Sequence, residues 1–265
     1  CAHSHRTRND KLEEEMKMKK TVICMALVLA LLCTAALAET LTMGSSIDFA
    51  PYEYYDDETG EIVGIDVEIA QAVCDALGYE LEIEDMQFDS IIMAVVSGKV
   101  DFGMSGFTIT EERKQNVNFS TPYTTAVQAI IVPEDSAITS VDDLFNKDNS
   151  FSIGVQQGTT GDLYITDDIE ANGLSHTVHR YNKAPDSILA LQSGKIDCVI
   201  IDGEVASAFV ASNEGLKLLN TAYAYEEYAI CFAKDSAIYD TFNAELEALI
   251  EDGTVQSIID KYITD

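Results

Sequence analysis

Short apolar runs alternate with amphipathic stretches along the chain from about residue 40 onward. The first segments follow the order strand, helix, strand, helix, strand at 41–44, 67–77, 81–83, 88–96 and 100–104. The alternation then restarts as strand, helix, helix, strand at 151–155, from near Thr159, at 186–192 and at 198–201. Strands that alternate with helices are typical of parallel βαβ units, so the pattern predicts two α/β units.

An internal repeat supports this division. Residues 92–101 (IMAVVSGKVD) match residues 188–197 (ILALQSGKID). In each copy a helix would end, Gly would take the left-handed position after it, Lys would neutralise the helix C-terminus, and a buried strand would follow. A single Ser-Gly-Lys-(Val/Ile)-Asp turn would suit any α/β protein. Two copies at the same place in a βαβ unit predict two lobes of like topology.

We therefore predict an α/β fold of two similar lobes, each a mainly parallel sheet flanked by helices, joined by a two-strand hinge. No segment rich in Pro, Gly or Ser separates the lobes. Crossings near 123–127 and near 229–232 suit a hinge in which apposed strands bend, and 228–232 is a last apolar strand before a helical tail. The predicted boundaries place lobe one at 39–124 plus 232–265 and lobe two at 125–231.

The first 38 residues are predicted to be a leader outside the fold. A basic segment at 16–20 precedes an apolar run at 22–32, and Ala36-Leu37-Ala38 forms an A-x-A cleavage site. We interpret 16–38 as a signal peptide and 1–15 as an artefact of the assigned gene start. The apolar run is too short to span a bilayer comfortably, so the sequence predicts export to the periplasm or the outer cell surface.

The positions of the cysteines bear on whether the protein is lipidated and whether it has a disulfide. Leu32 stands where a lipoprotein signal needs a small residue, so we expect no lipid anchor through Cys33. Three cysteines follow the predicted cleavage site, Cys74, Cys198 and Cys231. They allow one disulfide at most, and we favour the alternative of buried free thiols.

Charge and motif content narrow the partners. The chain has 46 acidic and 16 basic residues, a net charge of −30, which would repel a phosphate backbone and argues against nucleic acid as a partner. The chain contains neither C-x-x-C nor H-E-x-x-H, and we expect no metal and no cofactor. We expect a monomer that remains soluble outside the cell.

Candidate chemistry lies at the strand ends that follow the two repeat copies, because open parallel sheets bind ligands there. The first strand leads to Ser105, Gly106 and Thr108, with Arg113 shortly after, and the second leads to Asp202. Amides and a guanidinium on one wall and a carboxylate on the other predict a cleft for a zwitterion. The alternatives are a surface arginine in a charged stretch for Arg113 and a simple helix cap for Asp202.

Two further features point to the same cleft. Gly158-Thr159-Thr160-Gly161 lies at a predicted helix start, where exposed amides bind anions, although strand–Gly–helix turns are common. This turn lacks the Walker lysine and the G-x-G-x-x-G pattern, which disfavours a phosphate ligand. Phe49 and Phe88, placed in loops after strands, could flank an apolar part of a ligand or belong to the core.

Four segments carry a family resemblance. Residues 48–52 (DFAPY), 64–70 (GIDVEIA), 106–113 (GFTITEER) and 119–123 (FSTPY) resemble the polar amino-acid solute-binding proteins of ABC importers, bacterial extracellular solute-binding protein family 3. The resemblance extends from about residue 40 to the C-terminus. It implies a type II periplasmic binding protein fold without enzymatic activity. Such a protein captures a free, polar L-amino acid between its lobes and delivers it to the transmembrane subunits of an ABC permease.

The resemblance also implies roles for individual residues. Phe49 and Phe88 would flank the ligand, and Asp202 would receive its α-ammonium group. The α-carboxylate would be held by Gly106, Thr108, Arg113, Thr159 and Thr160. Three positions vary within the family: Ser105, Gln156, which follows side-chain preference, and Ser46, which is acidic in some binders of basic amino acids. The neutral Ser46 disfavours lysine or arginine as the ligand.

Two rival functions use the same scaffold. An exported dehydratase of the cyclohexadienyl type would bind an amino-acid-like substrate in the same cleft, but it needs a general acid near the bound ring. No histidine lies near the predicted site. A ligand-sensing module of a separate receptor is the other alternative.

Overall fold

The structure of the protein is a computed structural model that describes Met16 and residues 38–263. The predicted leader at 1–38, apart from Met16 and Ala38, lies outside the described residues. The helices are α1 Ile65–Leu77, α2 Phe88–Val96, α3 Thr160–Asn172, α4 Ala184–Gln192, α5 Gly203–Ser212, α6 Tyr239–Glu251 and α7 Thr254–Tyr262. The strands are β1 Thr40–Ser45, β2 Tyr54–Tyr55, β3 Ile62–Val63, β4 Glu80–Asp85, β5 Phe102–Gly103, β6 Val117–Phe119, β7 Thr124–Pro133, β8 Ser152–Gln156, β9 Thr177–Tyr181, β10 Cys198–Asp202, β11 Leu216–Leu218, β12 Ala224–Tyr228 and β13 Cys231–Ala233.

The first sheet has the strand order β4-β1-β5-β13-β6. Strand β1 pairs in parallel with β4 and β5, whereas β13 returns from the far end of the sequence and pairs antiparallel with β5 and β6. The predicted strand at 100–104 is shorter than expected, because only Phe102 and Gly103 pair as a strand. Its neighbours still join β1, since Asp101 N donates to Thr42 O at 2.9 Å and Met104 N to Gly44 O at 3.1 Å.

The second sheet has the order β11-β7-β10-β8-β9, and β12 also pairs with β7. Strand β8 is parallel to β9 and β10, while β7 is antiparallel to β10, β11 and β12. Helices α3, α4 and α5 pack on this sheet. The prediction of an α/β fold with two sheet–helix lobes is confirmed, although antiparallel strands make each sheet mixed.

Two apposed segments connect the sheets. Strand β7 begins at Thr124, shortly after β6, and pairs with β12 so that Thr124 faces Tyr228. The predicted strand at 228–232 is divided between β12 and β13, with residues 229–230 as a connection. Tyr123 N donates to Tyr228 O at 3.0 Å and Ser120 N donates to Ile230 O at 2.9 Å, so the crossing segments remain bonded to each other. The lobe boundaries given above remain a prediction.

The repeated turn has the same geometry in both lobes. Gly98 and Gly194 have positive φ angles of 70° and 68°, as the predicted left-handed turn requires. The following lysine amides donate to Ala94 O at 2.9 Å and Ala190 O at 3.0 Å. The terminal aspartates also correspond, because Asp101 and Asp197 each accept a bond of 2.7 Å from a parallel strand of their own lobe, at Thr42 N in β1 and Ser152 N in β8. Each lobe therefore ties a parallel strand to its repeat turn.

The core is divided among three apolar clusters along the two sheets and their helices. The three cysteines of the described residues, Cys74, Cys198 and Cys231, are buried, lie on α1, β10 and β13, and are free. Burial raises the pKa of Cys74 to about 11 and that of Cys231 to about 12, as expected of packed thiols. Within residues 38–263, the helices lack the length and apolar character needed to cross a bilayer.

Candidate functional site

A narrow cavity lies between the two sheets. Its volume is about 20 Å³, enough for about one water molecule. Nine of the ten predicted site residues line it: Phe49, Phe88, Ser105, Gly106, Thr108, Arg113, Gln156, Thr159 and Thr160. Five lining residues were not among the predicted site residues: Ser46, Asp48, Glu53, Gln128 and Tyr228. The folding of the chain thus brings these groups together, while their binding roles stay a prediction.

Arg113 is buried at the border of the cavity. It begins a 3₁₀ turn, Arg113–Gln115, and is only 6% exposed, which rules out the alternative of a surface arginine. The guanidinium lies over the rings of Phe88 and Phe107, 5.4 and 5.3 Å from their centroids. Nη1 donates to Thr108 O at 2.8 Å and Nη2 to Gly158 O at 3.1 Å. Burial lowers the pKa of Arg113, but a guanidinium remains charged in proteins, so its other N–H groups are available to an anion.

The second lobe contributes a helix start to the same place. Helix α3 begins at Thr160, Thr159 is its N-cap, and both residues line the cavity. The hydroxyls of Thr160 and Thr108 lie 3.3 Å apart, across the two lobes. The positive end of a helix dipole beside a guanidinium favours a carboxylate.

The aromatic residues Phe49 and Phe88 both belong to the core and lie beside the cavity. Phe88 is the first residue of α2, which confirms the predicted helix at 88–96 and places Phe88 at the helix start and not in the preceding loop. Its ring stacks on Phe107 at 4.6 Å between centroids. Phe49 lies 6.0 Å from the ring of Tyr52. Phe49 and Phe88 are 8% and 7% exposed, and each therefore packs in the core and also borders the cavity.

Asp202 does not line the cavity. It is the N-cap of α5, and its Oδ1 accepts bonds from Glu204 N at 2.9 Å and Val205 N at 3.0 Å. Its Oδ2 accepts the hydroxyl of Tyr228 at 2.9 Å, and Tyr228 is the residue that reaches the cavity. Burial raises the pKa of Asp202 to about 7. Asp202 therefore makes the contacts of a helix cap, which was the alternative. Its predicted role of binding the α-ammonium group of a ligand remains a prediction.

Two buried acids hold the Ser105–Gly106 segment, a function that sequence reasoning missed. Glu53 Oε1 accepts the hydroxyl of Ser105 at 2.5 Å. Asp66 Oδ2 accepts Gly106 N at 2.8 Å, and its Oδ1 accepts the hydroxyl of Tyr123 at 2.7 Å. The signal was available, because Asp66 lies on the otherwise apolar face of α1 and Glu53 follows the 48–52 segment.

The buried acids Glu53 and Asp66 make the stability of the protein depend on pH. Burial raises the pKa of Asp66 to about 6 and that of Glu53 well above its usual value, and each carboxyl also interacts with the other. A carboxyl with a raised folded-state pKa keeps its proton while the unfolded chain releases it. Such a carboxyl therefore lowers the free energy of unfolding increasingly as the pH rises from the unfolded-state pKa, near 4.5, toward the folded-state pKa.

We accordingly expect Glu53→Gln to flatten the decline of stability with rising pH. The amide can still accept from Ser105 and donate to Asp66. Between pH 5 and 6 the free energy of unfolding of the wild type should fall, relative to Glu53→Gln, by about 1.4 kcal/mol per pH unit. Urea unfolding across this range would measure it. Glu58→Gln removes an exposed acid from the same loop as a control, and parallel profiles for wild type and Glu53→Gln would contradict the expectation.

A larger and more open cleft of about 730 Å³ runs along β12. Thr108 is the one predicted site residue on it, and its other walls include Lys114, Tyr164 and Glu226. Glu226 accepts Gln128 Nε2 at 2.9 Å. This cleft lacks Arg113 and the α3 helix start, so the smaller cavity is the better candidate for a zwitterion. In the described part of the chain, no group of three or more His, Cys, Asp or Glu is arranged to hold a metal ion.

The fold and the cavity define a two-lobed α/β binding protein, and comparison with known proteins identifies its family. Residues 41–265 match the bacterial extracellular solute-binding proteins, family 3, and the chain belongs to that family. The arginine-binding extracellular protein ArtP of Bacillus subtilis (strain 168) is 37% identical over 227 residues, covering 84% of this chain and 86% of that protein.

Solved structures agree with the assignment. An ancestral arginine-binding protein bound to arginine is 35% identical with a TM-score of 0.78, covering 86% of this chain and 99% of that one. An ancestral arginine-binding protein bound to glutamine has a TM-score of 0.77 at 35% identity, covering 86% of this chain and 100% of that one.

Proposed function

We propose that the protein captures a free L-amino acid in the inter-lobe cavity outside the cell and delivers it to an ABC-type membrane permease. The observation that carries the proposal is the buried Arg113, whose guanidinium borders a closed cavity beside the start of α3. A planar guanidinium with free N–H groups suits the α-carboxylate shared by all amino acids.

Opening of the lobes is part of this function. The cavity, about 20 Å³, leaves almost no room for water, and contacts beside it join one lobe to the other. Arg113 reaches Gly158 O at 3.1 Å and Gln157 Nε2 reaches Asp89 Oδ2 at 2.7 Å. A ligand can enter only if these contacts separate, and the paired crossing segments near Tyr123 and Tyr228 are the place for the bend. Closure then surrounds the amino acid.

The relatives support a transport function. Those named above are described as arginine-binding, and one structure contains glutamine, so this scaffold accepts both charged and neutral side chains. We propose that this chain likewise is a non-enzymatic, monomeric carrier that is exported and docks on permease subunits. No contact in the described residues favours the dehydratase, because Glu53 and Asp66, the buried acids nearest Ser105 and Gly106, hold the backbone of the site.

Titration calorimetry against the twenty amino acids tests the proposal. We expect at least one of them to bind with a Kd of roughly 1 μM, about −8 kcal/mol. The free energy combines several charge-assisted hydrogen bonds less the costs of ordering and closure. Small-angle scattering should show the protein becoming more compact when that amino acid is added. If none of the twenty binds, the proposed function is wrong.

A further inference from the structure

One oxygen of an acid on the wall of the cavity has no hydrogen-bond donor among the described residues. Asp48 lines the cavity, its side chain is 10% exposed, and its Oδ2 is buried with no hydrogen-bond partner within residues 38–263. Its Oδ1 is 3.5 Å from the hydroxyl of Ser46. Buried carboxylates without donors are costly, so this oxygen marks a place where a donor from a ligand would be strongly stabilised.

The cation beside Asp48, Lys183, makes its shorter contact with a different carboxylate, Asp85. Lys183, from the second lobe, lies 3.0 Å from Asp85 Oδ1 but 3.8 Å from Asp48 Oδ2. Lys183 also approaches the Ser46 hydroxyl at 3.4 Å, and Asp85 Oδ1 accepts Ile47 N at 3.2 Å. Two carboxylates therefore share one ammonium group, and the shorter contact belongs to Asp85. The Asp48 end of the cavity keeps a net negative charge.

Asp48 and Arg113 lie toward different ends of the cavity. Asp48 also borders a surface depression with Tyr54 and Phe209, whereas Arg113 borders another with Met93 and Leu163, and no residue is common to the two depressions. The two residues therefore offer separate contacts, so that one ligand held at Arg113 by its α-carboxylate leaves Asp48 for another of its groups.

We propose that Asp48 selects an L-amino acid with a cationic side chain, whose guanidinium or ammonium group donates to the Asp48 carboxylate while Lys183 remains on Asp85. This inference rests on the proposed amino-acid binding and names its substrate class. It departs from the expectation drawn from the neutral Ser46, because the acid is supplied two residues further along the same loop. Gln156, which lies 3.5 Å from the Ser46 hydroxyl, adds a neutral polar group there.

Arginine and citrulline provide the test, because citrulline has the shape of arginine with a neutral urea in place of the guanidinium. Calorimetry of the wild type should give a Kd for L-arginine at least tenfold lower than for L-citrulline. Asp48→Asn should raise the Kd for L-arginine at least tenfold and change the Kd for L-citrulline less than twofold. The retained citrulline binding also shows that the variant folds. Asp57→Asn, which removes an exposed acid from the same loop, should leave both affinities unchanged.

The Lys183→Met variant distinguishes the contribution of Asp48 to ligand binding from that of Lys183. If Asp48 selects the ligand, this variant keeps or strengthens arginine binding, because the competing cation is removed. Citrulline or glutamate binding as tightly as arginine in the wild type would overturn the inference and leave amino-acid binding intact. Arginine binding that survives Asp48→Asn would also overturn it. Absence of binding by every amino acid would instead refute the proposed function.

Discussion

Arg113→Ala is expected to raise the Kd for the bound amino acid at least a hundredfold, about 2.7 kcal/mol. The change removes the charged group that meets the α-carboxylate, and every L-amino acid should be affected alike. Arg113→Lys retains the charge but not the planar fork, so it should fall between wild type and Arg113→Ala. Calorimetry with the best ligand measures the loss.

The neighbouring Lys114 is the matched control. Its side chain is 48% exposed and pairs with Glu111 at 2.9 Å, outside the small cavity. Lys114→Ala removes the same charge and should alter the Kd less than twofold, because exposed ion pairs contribute little. If Arg113→Ala, shown to be folded by its thermal unfolding curve, bound the amino acid as the wild type does, Arg113 would not belong to the site.

Gly64→Ala is expected to lower the free energy of unfolding by about 3 kcal/mol or more. Gly64 precedes α1 with φ of 135°, and a Cβ atom there would lie 2.1 Å from Tyr52 O and 2.9 Å from Glu53 N. These are backbone atoms that cannot rotate away, and they belong to the segment that carries Glu53. Thermal unfolding should show a Tm lower by roughly 8 °C.

Gly60 on the same loop provides the comparison. It has a similar positive φ, 72°, but a Cβ atom there meets nothing within 4 Å. Gly60→Ala should cost only about 1 kcal/mol, the backbone cost alone. Equal losses for the two variants would show that the contact with Tyr52 and Glu53 is unimportant.

The elements and the two lobes were accessible from the sequence because their signals are local. Apolar periodicity marked the helices, and the two Ser-Gly-Lys turns marked equivalent places in two sheets. Arg113 was found because arginine is scarce and follows a strand end. The short β5 was overestimated, because an apolar run does not show which of its residues pair.

The contacts across the lobes could not be predicted in the same way. Asp48 and Lys183 meet only when the lobes close, and they are far apart in the sequence. The hydroxyl of Tyr228 reaches Asp202 because β12 crosses between the sheets, which no periodic pattern reveals. Burial of Glu53 similarly depends on the approach of Ser105 from a distant strand. These groups depend on tertiary packing and not on local propensity.

The matched bonds of Asp101 and Asp197 have a mechanical consequence. Each fastens a parallel strand of its lobe, β1 or β8, to the turn that follows a helix, with bonds of 2.7 Å in both cases. These bonds stiffen each lobe internally, so the crossing segments are the part that bends. Affinity and closure should then respond separately to substitution. Replacing Asp101 or Asp197 alters the rigidity of its own lobe, and substitutions in the crossing segments alter how far the lobes separate.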